Sequence, residues 1–248
     1  MEGLSRRRLL GRGGRLAAGA GLAIAPAAAS SPGRKLKVVA CGGHPGDPEY
    51  GCGGTLARYA DRGDEVVLLY LNEGNPRPEQ PPEPGRDRVA EAKRACAILG
   101  ARPVFAGQVD GRAVIDEPHY RAFRALLAAE KPDVLFTHWP IDNHADHRAI
   151  TMLAHDAWQS VSKGFALYYY EVSTGEDTVQ FAPTHLVDIT ATEPRKRQAC
   201  YAHASQSPER YYELQDLVAR MRGIECGRRR AEGFIRHVQG PNAGLPGP

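Results

Sequence analysis

Leu36-Lys37-Val38-Val39-Ala40-Cys41-Gly42-Gly43-His44-Pro45-Gly46-Asp47-Pro48-Glu49-Tyr50-Gly51-Cys52-Gly53-Gly54 is the stretch on which the fold turns. Its apolar run over 36–41 reads as a strand, and the prolines and glycines that follow favour a fixed turn. His44 and Asp47, three residues apart in that turn, can both reach one cation at about 2.0–2.2 Å, the range of nitrogen and oxygen ligands to zinc. From Cys52 to Arg62 the spacing predicts a helix, with Leu56, Tyr59 and Ala60 on one face and Gly63 as its stop. Alone, a His and an Asp among glycines are ordinary loop polarity.

A second cluster gives them weight. After the apolar run Val134-Leu135-Phe136 come His138, Asp142, His144, Asp146 and His147, so three of the nine histidines in the chain fall within residues 138–147. The plain alternative is a polar loop leading to a helix, since Asp142 or Asp146 would serve as a good N-cap. Ligands drawn from two loops, with one position left open, form the pattern of a catalytic zinc site.

Between these motifs the chain alternates strand and helix. Glu65–Leu71 reads as a strand buried on both faces, Arg86–Leu99 as a helix, Pro103–Ala106 as a strand. A third helix carries Tyr120, Phe123, Leu126 and Leu127, and Pro132–Phe136 is a fourth strand. That rhythm predicts an α/β fold, a Rossmann-like three-layer sandwich with a mostly parallel sheet. Ligands of such sheets bind beyond the carboxyl ends of the strands, where His44, Asp47, Asn72, Glu73, Asp110, His138, His144 and His147 all follow. Further strands are expected at 166–172, 185–189 and 234–238, and helices at 193–204 and 208–226. The proline-rich stretch after Glu73 reads as an irregular excursion. The glycines after the first strand match neither G-x-G-x-x-G nor a P-loop, and there is no G-x-S-x-G elbow.

The formal net charge of +3 is misleading, because five arginines against one glutamate give residues 1–15 a local +4 and leave the remainder slightly negative. Nothing in the charge balance argues for nucleic acid as a partner. Ser5-Arg6-Arg7-Arg8-Leu9-Leu10, an Ala/Gly-rich run over 16–25 and Ala27-Ala28-Ala29 together predict a twin-arginine (Tat) export signal over residues 1–29. A domain over 30–239 and a disordered tail over 240–248 are expected to follow. The mature protein would then be periplasmic or extracellular, with no membrane span, since no other stretch approaches the roughly 18 apolar residues needed. The five cysteines are scattered without a C-x-x-C pair and read as buried thiols. Oligomeric state is not legible.

These motifs resemble those of the PIG-L/LmbE family of zinc-dependent N-deacetylases. The family's His-Pro-Asp-Asp-Glu signature stands here as His44-Pro45-Gly46-Asp47-Pro48-Glu49, followed by Gly51-Cys52-Gly53-Gly54-Thr55-Leu56-Ala57. Its Asp-x-His-Pro-Asp-His signature stands as Asp142-Asn143-His144-Ala145-Asp146-His147, and weaker landmarks are Arg88-Val89-Ala90-Glu91, Asp110-Gly111, Lys196 and His203-Ala204-Ser205-Gln206. The resemblance implies a divalent metal, zinc first, held by His44, Asp47 and His147. It implies His144 as the group that polarises the tetrahedral intermediate and protonates the leaving amine, and an N-acetylated sugar as substrate. Arg88 and Asp110, joined by His138, are the substrate-side candidates. The aspartate that the family uses as general base is replaced by Gly46, which leaves Glu49, Asp142 or Asp146 to supply a carboxylate, or zinc alone to activate water. The competing reading is a metal-dependent sugar-binding protein whose chemistry went with that aspartate.

Overall fold

Alternate residues of β1 (Lys37–Gly42) face opposite ways, and both sets are buried: Val38 and Ala40 enter one core, Val39 and Cys41 the other. A strand apolar on both faces needs helices above and below it. The computed structural model describes residues 34–75, 79–81 and 87–247, and in these the helices are present on both sides. On one face lie α1 (Asp47–Asp61), α2 (Arg88–Leu99), α5 (Glu193–Tyr201) and α6 (Pro208–Cys226), packed through Leu56, Tyr59, Leu99 and Tyr212. On the other lie α3 (Glu117–Glu130) and α4 (Ala145–Ser160), packed through Phe123, Leu127, Leu153 and Trp158.

The remaining strands are β2 (Glu65–Asn72), β3 (Ala101–Gln108), β4 (Val134–His138), β5 (Ala166–Tyr170), β6 (His185–Asp188) and β7 (Ala231–Arg236). They form one sheet in the order β3-β2-β1-β4-β5-β7-β6. Pairing is parallel from β3 through β5, and β7 runs antiparallel to both of its neighbours. This is the expected three-layer α/β architecture with a mostly parallel sheet. The chain builds outward from β1 to β3 and then returns to the far side of β1, so the direction of winding reverses between β1 and β4. Such a reversal opens a crevice at the strand ends, and the two histidine-bearing segments flank it.

Several boundaries differ from the sequence reading. α1 begins at Asp47, five residues early, because Gly46 caps it at φ 114° and the Glu49 carboxylate accepts the Gly46 N–H at 3.2 Å. The helix sits close to the sheet: a Cβ at Gly51 would lie 2.3 Å from the Tyr170 ring. α4 extends well past the N-cap that the sequence reading names, and β7 begins three residues earlier than read. The expected disordered tail is corrected over 240–247, where Tyr59 Oη donates to Gly244 O at 3.3 Å and Tyr168 Oη to Ala243 O at 2.9 Å. Ala243 and Leu245 pack on the core beside them. Four cysteines are buried thiols as read, and Cys226 is exposed. The signal-peptide reading falls outside the described residues, as does most of the proline-rich excursion. Among the described residues no helix is long and apolar enough to cross a membrane.

Candidate metal centre

Asp47 opens α1 and His147 lies in the first turn of α4, so each helix start aims a side chain into the crevice between β1 and β4. Asp47 Oδ2 is the hub. It lies 3.3 Å from His44 Nδ1, 3.2 Å from His147 Nε2 and 3.3 Å from His138 Nε2, and it accepts the His44 backbone N–H at 2.8 Å.

The far nitrogen of each of two imidazoles rests on a buried carboxylate. His44 Nε2 is 3.1 Å from Asp146 Oδ2 and 3.2 Å from Asp110 Oδ1, and His147 Nδ1 is 3.1 Å from Asp142 Oδ1. These carboxylates are fixed in turn: Asp142 accepts from His144 N at 2.8 Å and Thr178 Oγ1 at 3.0 Å, and Asp146 from Gly111 N at 2.8 Å and Asn72 Nδ2 at 3.2 Å. A carboxylate behind an imidazole sets its tautomer and raises its basicity, the usual support of a metal-ligating histidine.

Three overlapping trios have donor atoms mutually within 4.8 Å: His44, His144 and His147; Asp47, His138 and His147; and His44, Asp110 and Asp146. Hydrogen bonds weigh against two of them. His144 Nδ1 accepts the Asp146 N–H at 3.2 Å, so the neutral ring carries its proton on Nε2. His138 Nε2 accepts the Gly43 N–H at 3.1 Å, which occupies the lone pair that would face a cation. The third trio stands untouched by these bonds, and a further set, which is none of the three, converges on Asp47: His44 Nδ1 and His147 Nε2 lie 3.3 and 3.2 Å from Asp47 Oδ2, and two imidazoles with one carboxylate have the chemistry of a divalent-ion site.

Electrostatics follow from this packing. Burial disfavours the charged form of His147, but the Asp47 charge and the hydrogen bonds to Asp142 and Asp47 outweigh it and push the imidazole up to about 9. Burial likewise opposes charge on His44, and Asp47, Asp110 and Asp146 hold it well above the ordinary range. His138 goes the other way: burial and the His147 charge bring it down to about 4. His144 is lowered by burial and by the charges on His44 and His147. In the metal-free protein, His44 and His147 are thus protonated at neutral pH and must release those protons to bind a cation. The stabilisation they give the metal-free fold is complete below the ordinary imidazole value of about 6.5 and is lost as pH rises through about 9 for His147. Zinc titrated calorimetrically at pH 7 in two buffers of different ionisation enthalpy is expected to release about two protons per ion. Release of none would show that these imidazoles do not bind it.

A cavity of about 260 Å³ adjoins the cluster, lined by His44, Asp47, Arg88, Asp110, His144 and His147 and also by Asp177, His203, Gln206, Tyr211 and Gln215. Arg88 reaches this wall from α2, donating through Nη2 to Pro45 O and through Nη1 to Glu91 at 3.3 Å. Of the expected site residues, four stand elsewhere than the sequence implied. His138 is fully buried behind Asp47, away from the cavity, so it is not a substrate-side group. Glu49 is fully buried, with its oxygens taken by Gly46 N, Tyr70 Oη at 2.7 Å and His203 Nε2 at 2.9 Å. Asp142 and Asp146 brace histidines as described. None of these three carboxylates is placed to replace an aspartate at position 46. Sequence reasoning missed Asp177, Tyr211 and Gln215, which carry no motif and reach the cavity through the sheet order and the α6 docking.

Residues 39–158 match the PIG-L family, described as GlcNAc-PI de-N-acetylase. Over 227 residues the chain is 28% identical to diacetylchitobiose deacetylase of Thermococcus kodakarensis, covering 82% of this chain and 84% of that protein. It is 30% identical over 128 residues to YaiS of Escherichia coli K12, an uncharacterized deacetylase, covering 49% of this chain and 67% of that one. A conserved protein of Thermus thermophilus superposes with a TM-score of 0.69 at 28% identity, over 81% of this chain and 94% of that structure. With the paired histidine motifs at the winding reversal and matches that span the sheet, the chain belongs to the PIG-L family.

Proposed function

We propose that this protein is a zinc-dependent N-deacetylase of an N-acetylated amino sugar, exported through the leader read in residues 1–29. The observation that carries the reading is the pair of imidazoles, His44 and His147, each facing Asp47 with one nitrogen and braced by a buried carboxylate at the other. When bound, zinc supplies Lewis-acid polarisation of the acyl oxygen and a water nucleophile active at neutral pH.

The chain's own groups do the rest. His44, Asp47 and His147 hold the ion. His144, whose Nδ1 accepts the Asp146 N–H, presents Nε2 to the cavity as the donor for the negative charge that develops on the acyl oxygen. Arg88 and Asp110 line the cavity as polar contacts for sugar hydroxyls. The cavity, at about 260 Å³, takes one sugar ring and leaves an attached group in the open mouth. The diacetylchitobiose deacetylase relative acts on a sugar of this kind by its name, which supports the substrate class.

The second reading, a sugar-binding protein without turnover, rests on Gly46. Its φ of 114° is a glycine conformation, so the position carries no carboxylate and an aspartate there would be strained. Acetate release from N-acetylglucosamine and N,N'-diacetylchitobiose by the zinc-loaded protein separates the two: we expect turnover that stops on chelation and returns with zinc. Sugar binding with no acetate released would establish the binding protein. For export, Arg6→Lys with Arg7→Lys is expected to hold the precursor in the cytoplasm, and unchanged delivery outside would remove the Tat assignment.

A further inference from the structure

Amide hydrolysis takes a proton from the attacking water and returns one to nitrogen. With glycine at position 46, a carboxylate that assists both transfers would come from elsewhere in the cavity. Asp47 is spent on the cation, Glu49, Asp142 and Asp146 are buried and engaged, and Asp110 leans on His44 Nε2 at 3.2 Å. One further carboxylate lines the same cavity, that of Asp177.

We propose that Asp177, on the loop after β5, is the proton-transfer residue of this enzyme and replaces the aspartate missing at position 46. The proposal rests on the deacetylase reading above. Its first support is placement. The Asp177 loop is sewn to the segment that bears His144 and His147: Asn143 N donates to Asp177 O at 2.9 Å, Thr178 Oγ1 to Asp142 Oδ2 at 3.0 Å, and Asp142 and Thr178 form an antiparallel bridge. The loop closes on itself as well, through Asp177 N to Ser173 O at 2.9 Å and Val172 N to Thr178 Oγ1 at 3.0 Å. A carboxylate carried on such a loop is held in register with the histidines that line the same cavity.

The second support is its surroundings. The charges that act on it are those of His147, Asp142 and Asp47, the Ser173 side chain hydrogen-bonds it, and the neighbouring Glu176 pairs with Arg210 at 3.9 Å. Among the described residues no histidine forms an ion pair with the Asp177 carboxylate. Half-burial raises its pKa, with the charges of Asp142 and Asp47 adding to this against the His147 charge and the Ser173 hydrogen bond.

The step balances. As the water oxygen bonds to the acyl carbon, Asp177 takes one water proton and the C=O π pair moves onto the oxygen that faces His144 Nε2–H. That proton then passes from the Asp177 carboxyl to the amide nitrogen. The C–N pair leaves on nitrogen, the C=O re-forms, and the products are the amine and acetic acid, which ionises to solvent.

Asp177→Asn and Asp177→Glu, each checked for zinc content and melting temperature, test this on N,N'-diacetylchitobiose across pH. Asp177→Asn is expected to lower kcat by about 10²–10⁴-fold, the usual range for a positioned acid–base group. KM and zinc stoichiometry should stay near wild type, the acidic limb of the kcat profile should vanish, and Asp177→Glu should restore part of the rate. An active wild type with Asp177→Asn equally active, or with the loss confined to KM, overturns this proposal alone. A folded, zinc-loaded wild type inactive on every sugar overturns the deacetylase reading and this proposal with it. If the Asn variant misfolds, the Glu variant decides: a stable fold with an unshifted acidic limb counts against proton transfer at 177.

Discussion

His147→Ala is expected to weaken zinc binding by more than about 10²-fold, beyond the 10–100-fold that loss of a partner behind a ligand produces. The side chain gives one nitrogen to the Asp47 hub and the other to Asp142, and it is almost fully buried in the first turn of α4. On the proposed ligand set its removal leaves two ligands of three, and it strands the Asp142 carboxylate, whose pKa burial raises and His147 lowers. Competition against a chromophoric chelator measures the affinity. Asp142→Asn, which keeps the ligand and changes its support, should fall within the smaller range. Affinity for His147→Ala within threefold of wild type would move the centre to His44, Asp110 and Asp146, the trio that omits residue 147.

Lys196→Ala is expected to produce the largest loss of stability. Lys196 Nζ pairs with Glu232 Oε1 at 2.6 Å, and both side chains are buried. Glu232 also accepts the backbone N–H groups of Gly54 at 2.9 Å and Thr55 at 2.7 Å, so one carboxylate joins α1, α5 and β7. Removing one member of a buried pair leaves an uncompensated charge and costs about 3–5 kcal/mol. In a domain of this size that lowers Tm by about 10 °C. Lys196→Met with Glu232→Gln should recover part of the loss, because no charge is then left unpaired. A Tm within 2 °C of wild type for Lys196→Ala would mean that water reaches the Glu232 carboxylate.

The alternation from β1 to β4 was legible because parallel strands buried on both faces are nearly continuous apolar runs, as in Val66 to Leu71. The histidine pairs were legible because each follows such a run directly. The start of α1 was hidden by Pro45, Gly46 and Pro48, which announce a turn, whereas a proline in a first turn also suits a helix. α4 escapes a reading by motif although Ile150, Leu153, Ala154 and Trp158 keep helical spacing, because its first turn carries the ligand residues. The engagement of Glu49, Asp142 and Asp146 was not legible, since their partners Tyr70, Thr178 and Gly111 are neighbours only in space. Asp177 is likewise an ordinary loop aspartate in the sequence, and only the pairing of β4 with β5 brings its loop to the histidines.

The antiparallel strand set between β5 and β6 bears on the order in which the chain can fold. Apart from the outer side of β5, strands β1 to β5 pair only with one another, so most of the sheet can assemble while the chain is still being synthesised. β6 has no place to dock until residues 231–236 arrive, since its ladder is entirely with β7. Until then the outer edge of β5, carrying Tyr168, Tyr169 and Tyr170, offers unpaired backbone groups and aromatic side chains to any passing strand. A chain stalled before residue 231 is therefore a candidate for edge-to-edge aggregation, and the closing strand acts as the molecule's own guard against it.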